Sequence, residues 1–307
     1  MDFSIPSLLT NGFSWQAALS AAAASKLSYS EATIVRNIAR SEFGFETCEF
    51  IDINETQGFV ASHANVVLVA FRGTESLGDW LGNLRLTGTT RGYGVVHSGF
   101  LGGYLVAQSA IIAALGRANV AGKRLIVTGH SLGGALAAVF AAEEFANVKV
   151  HAIYTFGQPR TGRTDFQSFF AANYPQQYFR FVNDDDIVPQ VPPGYVHVGQ
   201  LFHFDTGGDV QDALESLAPQ VEPPPLTEAE FYEMQRQIKE VQLGVAVAGP
   251  PVEAIASAAA QDPAGPAVQI AAEETVEASV EGLFPSVSDH SMDRYLAAIR
   301  AQVIANP

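Results

Sequence analysis

Cysteine is almost missing from this chain: 307 residues contain one, Cys48. A lone thiol excludes an internal disulfide and any cysteine-built zinc site. Positive charge is scarce as well, with 17 Lys+Arg against 32 Asp+Glu and a formal net charge of −15. A surface this negative repels phosphate, which argues against a nucleic-acid binder and against a polybasic membrane-surface protein. Uninterrupted apolar runs are lacking too. Residues 3–25 carry no charge, but Pro6, Asn11, Gly12 and Gln16 break the stretch. Asp2 also stands where a signal peptide carries positive charge. The stretch reads as helix of the folded protein, and no segment approaches the roughly 20 apolar residues of a membrane span. With neither a signal nor disulfides marked, a cytoplasmic location is expected, with signal-independent export as the alternative.

What is present is a globular composition, 48 % apolar with a mean hydropathy of +0.13. A chain of this length buries roughly three quarters of its unfolded surface, enough for one large core. Helical spacing covers residues 14–28 and 31–42. Short β-branched and aromatic runs follow at Cys48 to Asp52, Gly58 to Ser62 and Val66 to Phe71. From Ser98 onward helix and strand alternate. Helices are expected over 98–115, 133–145 and 163–172, and strands over 124–128, 150–156 and 178–182. That alternation predicts an α/β protein with a mostly parallel central sheet flanked by helices.

Residues 206–285 break the pattern, holding 9 of the 16 prolines and 14 acidic against 2 basic residues. The block reads as an insertion within a single domain spanning 1–307. It contains one marked helix: Thr227 and Glu230 form a capping box, and Phe231, Met234, Ile238 and Val241 share a face. This helix is expected to cap the mouth of the site. A last helix is expected over 288–303.

The most informative stretch is the strand from Arg124, the turn Gly129-His130-Ser131-Leu132-Gly133 and the Ala-rich helix after it. Gly-x-Ser-x-Gly alone is a weak pattern, but between a strand and a helix it describes a strained elbow that exposes a serine hydroxyl. Such a hydroxyl needs a base to take its proton and an acid to orient the base. In elbows of this kind the order is serine, acid, histidine. That order leaves His197, His203 and His290 as bases, with Asp184, Asp185 and Asp186 clustered just past a strand as acids.

Six blocks together resemble the class 3 lipases, the family of fungal triacylglycerol lipases. They are Phe71-Arg-Gly-Thr74, Asp79-Trp80, His97-Ser-Gly-Phe100, Thr128 to Gly134, Gly157-Gln-Pro-Arg160 and Asn183-x-x-Asp186-Ile-Val-Pro189. The likeness covers about residues 15–205 and resumes near 286–300, on either side of the acidic block. It implies the α/β-hydrolase fold and a serine carboxylic-ester hydrolase acting on acylglycerols or other lipid esters. No metal or organic cofactor is implied, and contact with a lipid interface would be transient. By position, Ser131 matches the nucleophile, Asp186 the triad acid and His290, in an Asp-His pair opening the last helix, the base. Thr74 matches the oxyanion-hole residue, and the N–H of Leu132 supplies the second donor. Residues 75–87 resemble the family's lid, with Leu77, Trp80, Leu81 and Leu84 at helical spacing. A short-chain or aryl esterase and a phospholipase A1 are the enzymatic alternatives. A catalytically inactive lipid- or protein-binding relative is the other class. A prokaryotic source is expected, and the sequence leaves the oligomeric state unknown.

Overall fold

In the computed structural model the described residues are 2–74, 76–204, 224–248, 278–280 and 284–306. A 3-10 turn at Pro6–Leu9 precedes helices α1 (Trp15–Leu27) and α2 (Ala32–Ser41). Ser14 starts α1 because its side chain accepts from the Ala17 N–H, satisfying one of the four free donors of a helix start. Small side chains let α1 lie close against the sheet, where Ser25 Oγ meets Thr128 Oγ1 at 2.8 Å.

Strands β1 (Thr47–Ile53), β2 (Thr56–Ser62) and β3 (Val66–Phe71) form an antiparallel meander. The chain then runs through α3 (Leu77–Asn83), the hairpin β4 (Gly88–Arg91) and β5 (Gly94–His97), and α4 (Ser98–Arg117). From there β6 (Arg124–His130), α5 (Leu132–Glu143), β7 (Val150–Phe156), α6 (Thr164–Asn173) and β8 (Tyr178–Asn183) alternate, and β9 (Gln200–Phe204) closes the sheet. The sheet has seven strands in the order β1-β2-β3-β6-β7-β8-β9, parallel from β3 onward. All residues of β3 and β8 are buried. The unbroken apolar character of β3 follows from cover on both faces, whereas β8 also buries Arg180 and Asn183. On one face lie α3, α4, α5, α6 and α7 (Glu228–Ala248), and on the other α1, α2 and α8 (Met292–Ala305).

Two parts of the sequence reading need adjustment. The strands β4, β5 and β9, of 4, 4 and 5 residues, were not expected. Helix α4 has the length and apolar composition of a membrane span. Phe100, Leu101, Tyr104 and Ile111 nevertheless bury its inner face in the core, while Leu105, Val106 and Ile112 are exposed. Finally, His290 does not open the last helix. It ends a 3-10 turn at Pro285–His290, and α8 starts at Met292 because the Ser291 side chain accepts from Asp293 N–H.

The expected helix beginning at Thr227 is α7, with Thr227 N–H donating to Glu230 Oε2 at 2.9 Å and Glu230 N–H to Thr227 Oγ1 at 3.3 Å. Phe231, Met234 and Ile238 are buried in the cluster that holds Leu77, Leu81, Leu84, Ile187 and Val188. Residues 206–223, 249–277 and 281–283 of the acidic block, and Glu75 of the expected lid, lie outside the described residues.

Candidate active site

The site is built at the C-terminal ends of β3, β6, β7 and β8, where parallel α/β sheets gather ligands. At the end of β6 the chain turns through Ser131, whose φ of 59° and ψ of −131° are rare outside glycine. Such a conformation costs about 1–3 kcal/mol and persists only where neighbours enforce it. Two glycines permit the turn. A Cβ on Gly129 would lie 2.2 Å from Gly133 O, and one on Gly133 would lie 2.3 Å from Phe71 O. The Ser131 N–H is committed to Phe156 O at 2.9 Å. Leu132 opens α5, so its N–H is among those with no intrahelical carbonyl. Ser131 itself is 1 % exposed, and its Oγ has no hydrogen-bond partner among the described residues.

Beyond β8, Asp184 adopts φ 46° and donates its N–H to Phe204 O, whereas Asp185 faces solvent. The next residue, Asp186, is fully buried. Its carboxylate accepts from His290 Nδ1–H at 3.0 and 2.9 Å, from the Tyr295 hydroxyl at 2.6 Å and from Val188 N–H at 2.9 Å. With Nδ1 donating, the neutral ring carries its lone pair at Nε2, which is buried and has no partner among the described residues. No hydrogen bond joins Nε2 to Ser131 Oγ in this structure. Of the other two candidate bases, His197 Nε2 bonds Pro189 O at 2.7 Å and His203 Nε2 bonds Asp184 O at 2.8 Å. Both are tied to backbone carbonyls, and the Asp186 carboxylate faces His290.

His130 joins these parts. Its Nε2–H donates to His290 O at 2.7 Å, and its Nδ1 accepts from the Tyr29 hydroxyl at 2.7 Å. Tyr29 Oη accepts in turn from Gly73 N–H, beside Thr74. The His130 and His290 rings are 4.4 Å apart. Burial, reinforced by the neighbouring His290, holds the His130 pKa well below the usual histidine value. Burial also raises the Tyr29 pKa, and burial beside the Asp186 carboxylate raises that of Tyr295. Both hydroxyls therefore remain donors.

Two consequences are measurable. His130 stays neutral in the fold but takes a proton once unfolded, below about pH 6.5. Its contribution to stability is therefore complete above that pH and is lost as pH falls below it, by up to about 1.4 kcal/mol per pH unit. Urea midpoints measured between pH 7 and pH 5 should fall accordingly, with the His130 ring signals showing no titration in the folded protein. Tyr295→Phe removes a donor from a buried carboxylate and the acceptor of Asn183 N–H, which lies 3.1 Å away. A loss of about 1.5–3 kcal/mol in thermal stability is expected, as for a hydrogen bond to a charged group.

Two cavities flank the serine. One, of about 1020 Å³, is lined by His130, His290, Thr74, Leu77 and Val287. The other, of about 910 Å³, is lined by Gly73, Thr74, Leu132, Leu136, Trp80 and Phe100. Thr74 borders both, and it shares the second with Leu132, the other expected oxyanion donor. The expected lid residues belong to α3 and its end. Leu77, Leu81 and Leu84 are buried, and Trp80 stacks on Phe100 at 6.4 Å. Among the described residues no group of three or more His, Cys, Asp or Glu side chains could hold a metal ion. Sequence reasoning missed Tyr29 and Tyr295, and gave Val188 no role although it stands in the block that marks Asp186. Of the two missed, Tyr295 carried a signal, lying five residues beyond His290 on the last expected helix.

Comparison with known proteins finds a family and several relatives. The family model described as lipase (class 3) matches residues 68–196. The secreted mono- and diacylglycerol lipase 1 of Fusarium solani is 35 % identical over 150 residues, covering 46 % of this chain and 44 % of that protein. The triacylglycerol lipase OBL1 of Arabidopsis thaliana is 30 % identical over 255 residues, covering 60 % of this chain and 48 % of its own. The chain thus spans about half the length of the curated relatives it matches. A structure of the Rhizomucor miehei triacylglyceride lipase superposes with a TM-score of 0.53 at 24 % identity, over 62 % of this chain and 79 % of that one. The likeness to the class 3 lipases is thus a match over residues 68–196, and the fold is that of the α/β hydrolases. They also correct the cytoplasmic expectation, because the Fusarium relative is named a secreted enzyme. A single cysteine rules out an internal disulfide but does not fix a compartment.

Proposed function

We propose that this chain is a serine carboxylic-ester hydrolase acting on acylglycerols. Ser131 is the nucleophile, His290 the base, Asp186 the acid that orients it, and the N–H groups of Thr74 and Leu132 the oxyanion donors. The observation that carries this reading is the buried His290–Asp186 pair, 2.9 Å apart, beside a serine held at a positive φ on a strand-to-helix elbow. Family and relatives support the same chemistry.

The steps follow from the groups in reach. His290 Nε2 takes the Ser131 Oγ proton as the Oγ–C bond forms, and the carbonyl electrons move onto oxygen. Thr74 and Leu132 N–H groups stabilise that oxyanion, each contributing about 2.7–4 kcal/mol to the barrier reduction. Asp186 stabilises the imidazolium without taking its proton. The intermediate collapses by breaking the bond to the alcohol oxygen, which receives the proton from Nε2. Water, deprotonated by the same nitrogen, then attacks the acyl carbon, and the Oγ–C bond breaks as Nε2 returns the proton to Ser131 Oγ, releasing the acid.

The apolar residues Leu77, Trp80, Leu81 and Leu84 suit α3 as a lid that meets a lipid surface transiently. The acidic block 206–285 acts as an insertion whose helix α7 packs over that lid. Hydrolysis of tributyrin and longer triacylglycerol emulsions, set beside soluble p-nitrophenyl esters, tests the substrate class. Preference for the emulsions is expected. An optimum at short soluble esters with no gain at an interface identifies an esterase instead, and release of acid from phospholipids alone identifies a phospholipase.

A further inference from the structure

The nucleophile is covered. Ser131 is 1 % exposed, and both its Oγ and His290 Nε2 are buried without hydrogen-bond partners among the described residues. An ester can reach them only after a neighbouring element moves. Helix α3 is the element shared by the two cavities: Leu77 lines the one on the His290 side, and Asp79, Trp80 and Asn83 line the one beside Leu132. It has 7 residues, two of them glycine. So short a helix is unstable on its own, and its conformation depends on what packs against it.

What packs against it is α7. The Gln235 side-chain amide donates to Leu81 O at 2.9 Å and to Leu84 O at 2.8 Å, serving two carbonyls at the C-terminal end of α3. Gln242 Nε2 donates to Asp79 Oδ1 at 2.6 Å near its start. Between these ties the surfaces touch, since a Cβ on Gly82 would lie 3.3 Å from Ile238 Cγ2. Leu81 and Ile238 are both fully buried. The N-terminal end of α7 is anchored in turn by Leu226 N–H donating to Gln190 O at 3.2 Å, four residues past Asp186.

We infer that α7 is a latch on α3, with Gln235 as its bolt, and that an aggregated ester surface releases it. This rests on the hydrolase reading above and adds its regulation. The apolar faces of both helices, Leu77 and Leu81 on one and Phe231, Met234 and Ile238 on the other, exchange a protein partner for lipid at little net expense. In water the same separation exposes them, so the covered state prevails. The amides of Gln235 and Gln242 add a polar tie that lipid does not replace, which sets how strongly the enzyme distinguishes aggregated from dissolved esters.

The test is the rate at which a fluorophosphonate inactivates the full chain, in buffer and with a tributyrin emulsion. Wild type is compared with Gln235→Ala and Gln235→Met. Loss of two hydrogen bonds of ordinary net strength predicts inactivation in buffer about 30-fold faster in both variants. The rate with emulsion should change little, so the ratio of the two rates shrinks. An unfolded variant does not take the label, so faster labelling cannot come from unfolding. The methionine variant keeps the side-chain volume should the alanine variant lose its fold. Labelling in buffer at the wild-type rate or slower, in either variant with a native thermal transition, overturns the latch and leaves the hydrolase reading standing. Failure of the wild type and both variants to label in either condition overturns the hydrolase reading, and the latch with it.

Discussion

Ser131→Ala is expected to lower kcat for ester hydrolysis by about 10⁶-fold while leaving the protein folded, as removal of a triad nucleophile does in serine hydrolases. No other described hydroxyl sits on the elbow beside His290, so nothing replaces the attacking atom. The fold tolerates the change for a specific reason. Ser131 Oγ has no hydrogen-bond partner among the described residues, so its removal strands no buried donor or acceptor. The backbone bond from Ser131 N–H to Phe156 O is untouched. Alanine meets the same positive φ that serine already accepts, so thermal unfolding should shift by no more than a degree or two. Initial rates and melting curves on the same preparation check both halves of the expectation.

Asp186→Asn is the second large effect, expected to lower kcat by about 10⁴-fold. The native carboxylate accepts from His290 Nδ1, from the Tyr295 hydroxyl and from Val188 N–H. An amide offers one oxygen where those three donors need two. If its NH₂ turns to His290, Nδ1 must become the acceptor and the ring proton moves to Nε2, which then cannot accept from serine. If its oxygen stays with His290, the NH₂ meets the Tyr295 hydroxyl or the Val188 N–H. Either arrangement leaves a buried donor unpaired, for a loss of about 1–3 kcal/mol in stability. A variant keeping near-wild-type kcat would remove Asp186 from the mechanism.

The parts of the site that were legible in the sequence are those whose chemistry is local. The elbow requires Gly129 and Gly133 within four residues of each other, and the strand and helix on either side are equally short-range. Asp186 was separable from Asp184 and Asp185 only through family resemblance, because burial decides among three adjacent carboxylates and burial is set by the packing of Tyr295 and Val188 around one of them. Tyr29 was invisible for the same reason. It lies 101 residues before His130 in sequence, and only the packing of α1 against the sheet brings its hydroxyl to that ring. The start of the last helix was placed about one turn early, with His290 inside it, because a helical period and a 3-10 turn cannot be told apart over six residues, whereas the Ser291 cap marks the boundary in three dimensions. The cytoplasmic expectation drew a location from features the chain lacks, and a relative named as secreted overturned it.

The central claim is that acyl transfer passes through Ser131, activated by His290. Mass spectrometry of the intact protein and of its peptides after reaction with a fluorophosphonate in the presence of an ester emulsion tests it directly. One adduct is predicted, on the peptide carrying Ser131, absent from Ser131→Ala and nearly absent from His290→Ala. Wild-type protein without any adduct, or an adduct that persists in Ser131→Ala, would contradict it.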